Sequence, residues 1–443
     1  MTSAKEFLKS FQRFSLHNIN ASALLFTAAI LAMFLANSPW AYFYEDFLSR
    51  QVILQIGDYN LFSHHGSPMS VLAFVNDALM ALFFLLVGME IKQEILIGEL
   101  SSIRKAIFPI VAAFGGMIIP VMVFLAFCYS SPDSRGAAIP MATDIAFALS
   151  VLALLGNRVP LSLKIFLTAL AVTDDIGGII IIALFYSGHV AITPLLLSGL
   201  LLLGLYLGNR MRINSNTFYY LGGFFVWFFF LESGIHPTIA GVLVAFTIPA
   251  KSSMQLEGFV DRISSSIKSL PLNEGERSAK ATVLSDAQIH MLHKMEDASS
   301  KVISPLQNMS HRLHPYVNYL ILPLFAFVNA GVTFGSIEPS MLLGIPMGVF
   351  AGLFIGKTIG IFSFSYLFIK TGLVSYPKGM NAKNMFALSM LGGIGFTVSL
   401  FIANLSYTGV PEIGANLLNQ AKLGVFAGSL VSGLCGYFLL KKV

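Results

Sequence analysis

The chain has 443 residues, 56% of them hydrophobic and only 11% charged, with a mean hydropathy of +0.76. A soluble globular domain carries roughly a quarter of its residues as charges, so the composition excludes that class and points to a polytopic membrane protein. The net charge of +5 does not indicate nucleic acid, because the Lys and Arg residues are scattered through short loops between apolar spans, where they report topology.

The N-terminal MTSAKEFLKSFQRFSLHN carries Lys5, Lys9 and Arg13 and lacks a small-residue cleavage site, so it reads as a retained, partly amphipathic cytoplasmic helix. A first span is expected over about 20–38. The polar-aromatic loop after it includes QVILQIGDYNLF (51–62), whose alternation around Gly57-Asp58 suggests a β-hairpin outside the membrane, able to pair with another subunit. Span two, about 70–95, holds Asp77 early and Glu90, Lys92 and Glu94 at its end, before the Arg104-Lys105 loop. Spans three to eight are expected at about 106–129, 136–155, 161–186, 191–208, 217–232 and 235–249, and nine to twelve at about 313–335, 341–369, 385–408 and 417–440. Residues 250–312 are hydrophilic and read as a cytoplasmic linker with helical patches. The chain thus divides into eight spans (1–249), this segment (250–312) and four spans (313–443).

Twelve spans put both termini on one side and gather the basic loops there: Lys5/Lys9/Arg13, Arg104/Lys105, Arg158, Arg210/Arg212, the 250–312 segment, Lys378/Lys383 and Lys441/Lys442. Only Arg50 and Arg135 occupy the opposite loops. The positive-inside rule then makes both termini cytoplasmic. Cys128 and Cys435 lack metal-ligand spacing and read as core packing.

Chemistry concentrates in PMATDIAFALSVLALLGNRVPLSLKIFLTALAVTDDIGG (140–178), where Asp144, Asp174 and Asp175 interrupt apolar segments. A charge at the centre of a membrane helix costs roughly 2.5–3.5 kcal/mol, so three carboxylates need a compensating use, and ion binding is the simplest. Neighbours on a helix point about 100° apart, close enough in low dielectric for each charge to oppose the other's ionisation. Such a pair can hold protons or a small hard cation such as Na+ or Li+, both of which take oxygen ligands. Competition for one site is the chemistry of exchange.

Two spans look broken: PMATDIA (140–146) by Pro140, and LGGIGFTVS (391–399) by Gly392, Gly393 and Gly395. Opposed half-helix ends would meet near mid-membrane, where Asp144 and Lys357 offset their dipoles. Lys357, in AGLFIGKTIGIF, requires neutrality or an acidic partner, and Asp174 or Asp175 is the obvious one. The run is not a phosphate loop, since Ala351 stands where its first glycine belongs. Glu90, Lys92 and Glu94 read either as a solvated helix end or as a cation funnel, and His236, in SGIHP, as a turn cap or a proton-sensitive group. Thr143 and Thr173 can bond their own helix carbonyls, although Thr143 beside a break is better placed to offer an oxygen ligand.

The runs FVNDALMALFFLLVGMEIKQE (74–94), IPMATDIAFALSVLALLGNRVPLSLKIFLTALAVTDDIGGIIIIALFYS (139–187), ILPLFAFVNAGV (321–332), GLFIGKTIGI (352–361) and GGIGFTVSLFIANL (392–405) closely resemble the NhaA-type sodium/proton antiporters of bacterial inner membranes. The likeness covers essentially the whole membrane part. It implies a twelve-helix fold with inverted repeats and two crossing interrupted helices, generally dimeric through an external β-hairpin, here 51–62. The family is itself a standard instance of paired broken helices, so the interruptions agree with the resemblance without being independent of it. By position, Asp174 and Asp175 resemble the paired ion-binding aspartates, Asp144 and Thr143 the residues at the crossing, and Lys357 the lysine paired with Asp174. Asp77 and Glu90 match acidic positions toward the cytoplasmic funnel.

The implied activity is Na+ or Li+ export driven by proton entry through alternating access, without an enzyme reaction or a cofactor. A channel would need acidic rings around a symmetric pore, and an organic-anion symporter a polar pocket with deep Arg donors; neither pattern is present. The chain departs from the family where pH activation is located. It reads MSHRLHP, with Ser310 in place of an acid before His311 and His314, Gln93 in place of a base beside Glu94, and a long 250–304 segment.

Overall fold

Hydrocarbon offers a peptide group no partner, so apolar runs of this length close into helices whose bonds are internal. The computed structural model describes residues 21–442 apart from 58, 65, 66, 187, 189, 270–285, 335–338, 373, 375, 378 and 409. The expectations for Lys5, Lys9, Arg13, Asp58 and Lys378, and for the middle of the hydrophilic segment, lie outside the described residues.

Among the described residues six helices are long and apolar enough to cross a membrane: Val71–Ile97, Ile103–Phe127, Leu161–Phe185, Ile192–Arg210, Met341–Lys370 and Gly414–Lys442. Three bent pairs raise the number to nine: Ala21–Ala36 with Ala41–Ser49, Asp133–Met141 with Ile145–Leu154, and Ala382–Gly392 with Phe396–Tyr407. The two interruptions expected from Pro140 and the Gly392–Gly395 run are thus present, with bends of 43° and 45°. Asn216–Ser233, Thr238–Thr247 and the continuous run from Pro305 to Asn329 are shorter or more polar helices.

Several boundaries move for physical reasons. Ala41–Ser49, expected as loop, is a helix turned 114° from the first span. Tyr44 anchors it by donating its hydroxyl to the Phe327 carbonyl at 2.7 Å and setting its ring edge-on to Phe327. The helix expected from about 313 starts at Pro305, inside the stretch read as linker, because Ser304 caps it by accepting from Gln307 N and proline suits the first turn. The rest of the hydrophilic segment contains helices Leu256–Lys268 and Asp286–Val302, and Ser253 and Met254 N–H groups donate to the Lys301 carbonyl at its base. Among the described residues of 51–70, two-residue strands pair Gln55–Ile56 with Tyr59–Asn60 and Ser63–His64 with Ser67–Pro68, and an isolated bridge joins Gln51 to Ser70.

Two tight helix seams organise the packing. Met80–Ile97 runs along Thr238–Thr247, and Ile103–Phe127 along Lys357–Lys370. In the second seam Gly115 and Gly360 face one another so closely that a Cβ on either would strike the other's carbonyl oxygen. Small residues permit such backbone approach, which in a bilayer replaces hydrophobic driving force with packing. A third contact is polar: Asn404 and Asn76 both donate to Asn329 Oδ1, at 2.7 and 3.3 Å, and Asn329 Nδ2 donates to Asn76 Oδ1 at 2.7 Å. It ties the second broken helix to Val71–Ile97 and Leu322–Asn329.

Because backbone cannot yield at the Gly115–Gly360 contact, Gly360→Ala is expected to cost about 1–3 kcal/mol, as core overpacking does. Gly199→Ala, where a Cβ meets nothing within 4 Å, should be neutral or slightly stabilising. Thermal unfolding of the two variants in detergent checks the contrast.

Candidate functional site

Both broken helices expose orphan peptide groups at the point where they cross, and side chains answer them. Asp144 is the N-cap of Ile145–Leu154, accepting from Phe147 N at 3.0 Å with Oδ1. Its Oδ2 accepts from both Thr397 N, at 3.1 Å, and the Thr397 hydroxyl, at 2.6 Å. One carboxylate therefore sits at the N-terminal ends of two half-helices, whose dipoles favour negative charge there. Asp144 N donates to the Ile394 carbonyl at 2.6 Å, and Ser429 Oγ accepts from Gly395 N and Phe396 N.

Lys357 answers the opposite ends. Its ammonium donates to the Met141 carbonyl, at the end of the 3-10 helix Asp133–Met141, and pairs with Asp174 Oδ2 at 2.9 Å. Lys357 is fully buried and Asp174 is 3% exposed, so the pair is held where charge survives only with a partner. The Thr143 hydroxyl lies 2.7 Å from Asp174 Oδ2 and 2.9 Å from the Gly392 carbonyl. A hydroxyl has one proton, so Thr143 donates to the Asp174 carboxylate or to the Gly392 carbonyl, or shares its proton between them. Asp174 Oδ1 is buried without a hydrogen-bond partner. Thr173 bonds its own helix, donating to Ala169 O at 2.7 Å.

Two cavities approach this cluster from opposite directions. One, of about 340 Å³, is lined by Asp175, Asp144, Thr143 and Thr397 at its inner end and by Glu90, Glu94 and His314 farther out. His314 Nε2 lies 2.8 Å from Glu90 Oε1 and joins Pro305–Tyr316 to Met80–Ile97. The other cavity, of about 720 Å³, is lined by Ser134, Arg135, Met141, Phe185, Tyr186 and Ser406 among others. Thr143 lines the first and Met141 the second, with Asp174 and Lys357 bonded to these two residues between them.

The fold brings together Asp144, Thr143, Asp174, Asp175 and Lys357, with Glu90, Glu94 and His314 along the adjoining cavity. It does not bring Asp77 or His236 there. Asp77 is 13 residues before Glu90 on one helix, about 20 Å away along the axis. It faces His236, whose Nε2 is 3.6 Å from Asp77 Oδ1 and whose Nδ1 contacts the Thr238 hydroxyl at 2.8 Å. His311 is exposed and not on the cavity wall. Lys92, half-buried, caps Thr238–Thr247 by donating to the Phe246 and Ile248 carbonyls at 2.7 and 2.5 Å, and does not line the smaller cavity. Among the described residues no group of three or more His, Cys, Asp or Glu is arranged to hold a metal ion, so a bound cation would draw on carboxylate, hydroxyl and carbonyl oxygens together.

Thr397, Ser429 and the Asn76–Asn329–Asn404 cluster were not singled out from sequence. Thr397 follows the glycine run by two residues, and a hydroxyl just after a helix break is the signal that identifies it. Asparagines in apolar spans are a weaker signal.

The family model described as Na+/H+ antiporter 1 matches residues 12–440. An Na(+)/H(+) antiporter NhaA of Parabacteroides distasonis is 61% identical over 436 residues, covering 98% of this chain and 96% of that protein. A protein of the same name in Porphyromonas gingivalis is 50% identical over 435 residues, covering 98% and 96%. An Na(+)/H(+) antiporter NhaA 2 of Syntrophotalea carbinolica is 41% identical over 439 residues, covering 98% and 97%.

Removing one member of a buried ion pair costs about 3–5 kcal/mol, whereas replacing both is often neutral. Lys357→Met should therefore lower the unfolding free energy by that amount, and Lys357→Met combined with Asp174→Asn should recover most of it. Denaturation of both variants in detergent, as a double-mutant cycle, measures this; a double variant no more stable than the single would show that the pair is not the unit.

Proposed function

The chain belongs to the Na+/H+ antiporter 1 family, multi-pass membrane transporters that exchange sodium for protons without a cofactor, and on that premise we propose a site and a cycle for it. Asp174 and Asp175 bind Na+, or Li+, and protons in competition, and the site opens alternately to the two cavities. The reading rests on one observation: the buried Asp174–Lys357 pair is bonded through Asp174 to Thr143, which lines the smaller cavity with Asp175, and through Lys357 to Met141, which lines the larger.

In this cycle a cation enters past Glu90 and Glu94, whose charges concentrate it. It reaches Asp175 and the free Asp174 Oδ1, with Thr143 supplying a neutral oxygen. Binding displaces protons from the Asp174, Asp175 and Lys357 cluster and loosens Asp174 from Lys357. The loaded crossing tilts toward the larger cavity, Na+ leaves, and protons entering from that side restore the pair. Where the Lys357 proton moves as well, more than one proton enters per sodium and transport is electrogenic. Inward proton flow then drives sodium out of the cell and serves pH and sodium homeostasis.

The remaining features follow the same reading. Glu90 and Glu94 end the helix that leads into the Arg104-Lys105 loop, so their cavity faces the cytoplasm by the positive-inside rule. Twelve spans result when Asn216–Ser233, Thr238–Thr247 and the Pro305 to Asn329 run also cross, with inverted repeats around the two broken pairs and both termini cytoplasmic. The protein sits in a bacterial inner membrane as a homodimer through 51–62. The Glu90–His314 and Asp77–His236 contacts, with His311 near the first, make the response depend on pH, because a histidine changes charge in the physiological range.

Adding NaCl or LiCl to acidified everted vesicles should discharge the pH gradient, and KCl should not. Asp174→Asn and Asp175→Asn should each abolish the response. Because protons occupy the same oxygens, the apparent KM for Na+ should fall as pH rises, by up to about tenfold per unit for one competing proton. Sodium-dependent proton flux retained in both variants would sink the assignment.

A further inference from the structure

We propose that Arg135 sets the sodium affinity on the release side, as a fixed positive charge at the mouth of the larger cavity that holds external cations away from the site. The inference rests on the exchange reading above. Its basis is an asymmetry of charge between the cavities: the smaller is lined by Glu90, Glu94, Asp144 and Asp175, with His314, whereas Arg135 is the only charged side chain among the described residues lining the larger.

The backbone holds Arg135 at that mouth. Its carbonyl accepts from the Tyr186 hydroxyl at 2.9 Å, and the Ser406 hydroxyl lies 3.1 Å from the same Tyr186 oxygen. Tyr186 closes the Asp174 helix and Ser406 lies in the second broken helix, so the loop is tied to two elements that carry the site. The Arg135 side chain is exposed. Asp133, two residues earlier, does not line the cavity, and its carbonyl is taken by the Tyr407 hydroxyl at 2.8 Å.

From Arg135 to Met141, the cavity residue bonded to Lys357, six residues of 3-10 helix span about 12 Å. A unit charge at that distance, between low-dielectric walls, changes the local cation concentration by roughly three- to tenfold. The acidic cavity gathers Na+ from the cytoplasm and the basic one disperses it outside. The field acts equally on Na+ and H+, so it weakens external Na+ binding without changing the ratio of the two ions at the site.

The test measures the KM for Na+ separately from each side, in right-side-out and everted vesicles carrying the full chain. At about 0.01 M ionic strength and at alkaline pH, where protons compete least, Arg135→Gln should lower the external KM about threefold and Arg135→Glu about tenfold. The shift should shrink below about twofold near 1 M choline chloride, and the internal KM should not move. Arg135→Lys should behave as the unmodified protein, and Ser134→Lys, which adds a charge to the same wall, should raise the external KM about threefold. An unchanged external KM in Arg135→Glu, with exchange intact, overturns the proposal and leaves antiport standing. Equal shifts on both sides, or shifts that persist in high salt, overturn it in favour of a change in folding. Absence of sodium-dependent proton flux in the unmodified protein would overturn the exchange reading itself.

Discussion

A broken helix in hydrocarbon must find partners for the peptide groups it frees, and the two interrupted pairs of this chain meet that constraint by crossing each other. Asp144 takes N–H groups from both half-helices that begin there, and Lys357 takes the Met141 carbonyl, where the half-helix before the first break ends. Neither charge would be tolerable alone at this depth. Each is stabilised by helix ends that would otherwise be unsatisfied, so backbone and ionisable side chains depend on one another. Ser429 and Thr143 complete the arrangement at the remaining N–H and carbonyl groups.

That dependence leaves Asp175 and one oxygen of Asp174 outside the structural accounting. Asp144 has every oxygen engaged in capping, and Asp174 Oδ2 is committed to Lys357 and Thr143. Asp174 Oδ1 has no hydrogen bond, while Asp175 faces a cavity. In the proposed site, the carboxylate oxygens left for a cation are thus not those that hold the backbone. A cation bound to the first set would compete with Lys357 for Asp174, which couples ligand binding to the contact between Lys357 and Met141 and so to the crossing itself.

The crossing is not isolated from the surrounding helices. Asn404 joins the second broken helix to Asn329 and Asn76, and His314 joins Pro305–Tyr316 to Glu90. At the cytoplasmic border in our reading, Lys92 caps Thr238–Thr247, and the Leu306 N–H group donates to the Pro249 carbonyl just beyond that helix. The hydrophilic segment therefore begins and ends on backbone that is bonded to the same short helix. At the two positions read from the sequence as departures, Ser310 is buried and Gln93 Nε2 has no hydrogen-bond partner.

Sequence alone determined the class and the location of the chemistry. Composition made this a membrane protein, Pro140 and the Gly392–Gly395 run marked both breaks, and Asp144, Asp174, Asp175 and Lys357 stood out because charge in an apolar span demands a reason. Helix periodicity and breakers act within a few residues, so these features are legible along the chain. Tertiary structure decided the partners. Lys357 chose Asp174 over Asp175, Asp144 became a double cap through Thr397, Lys92 turned from a funnel candidate into a helix cap, and Asp77 and His236 fell outside the cavity. It also started the helix expected from about 313 at Pro305 and made Ala41–Ser49 a helix, through a cap and a ring contact. The physical reason is that a hydrogen bond or ion pair depends on which atoms packing brings into reach, and residues separated by hundreds of positions carry no local pattern that announces their meeting.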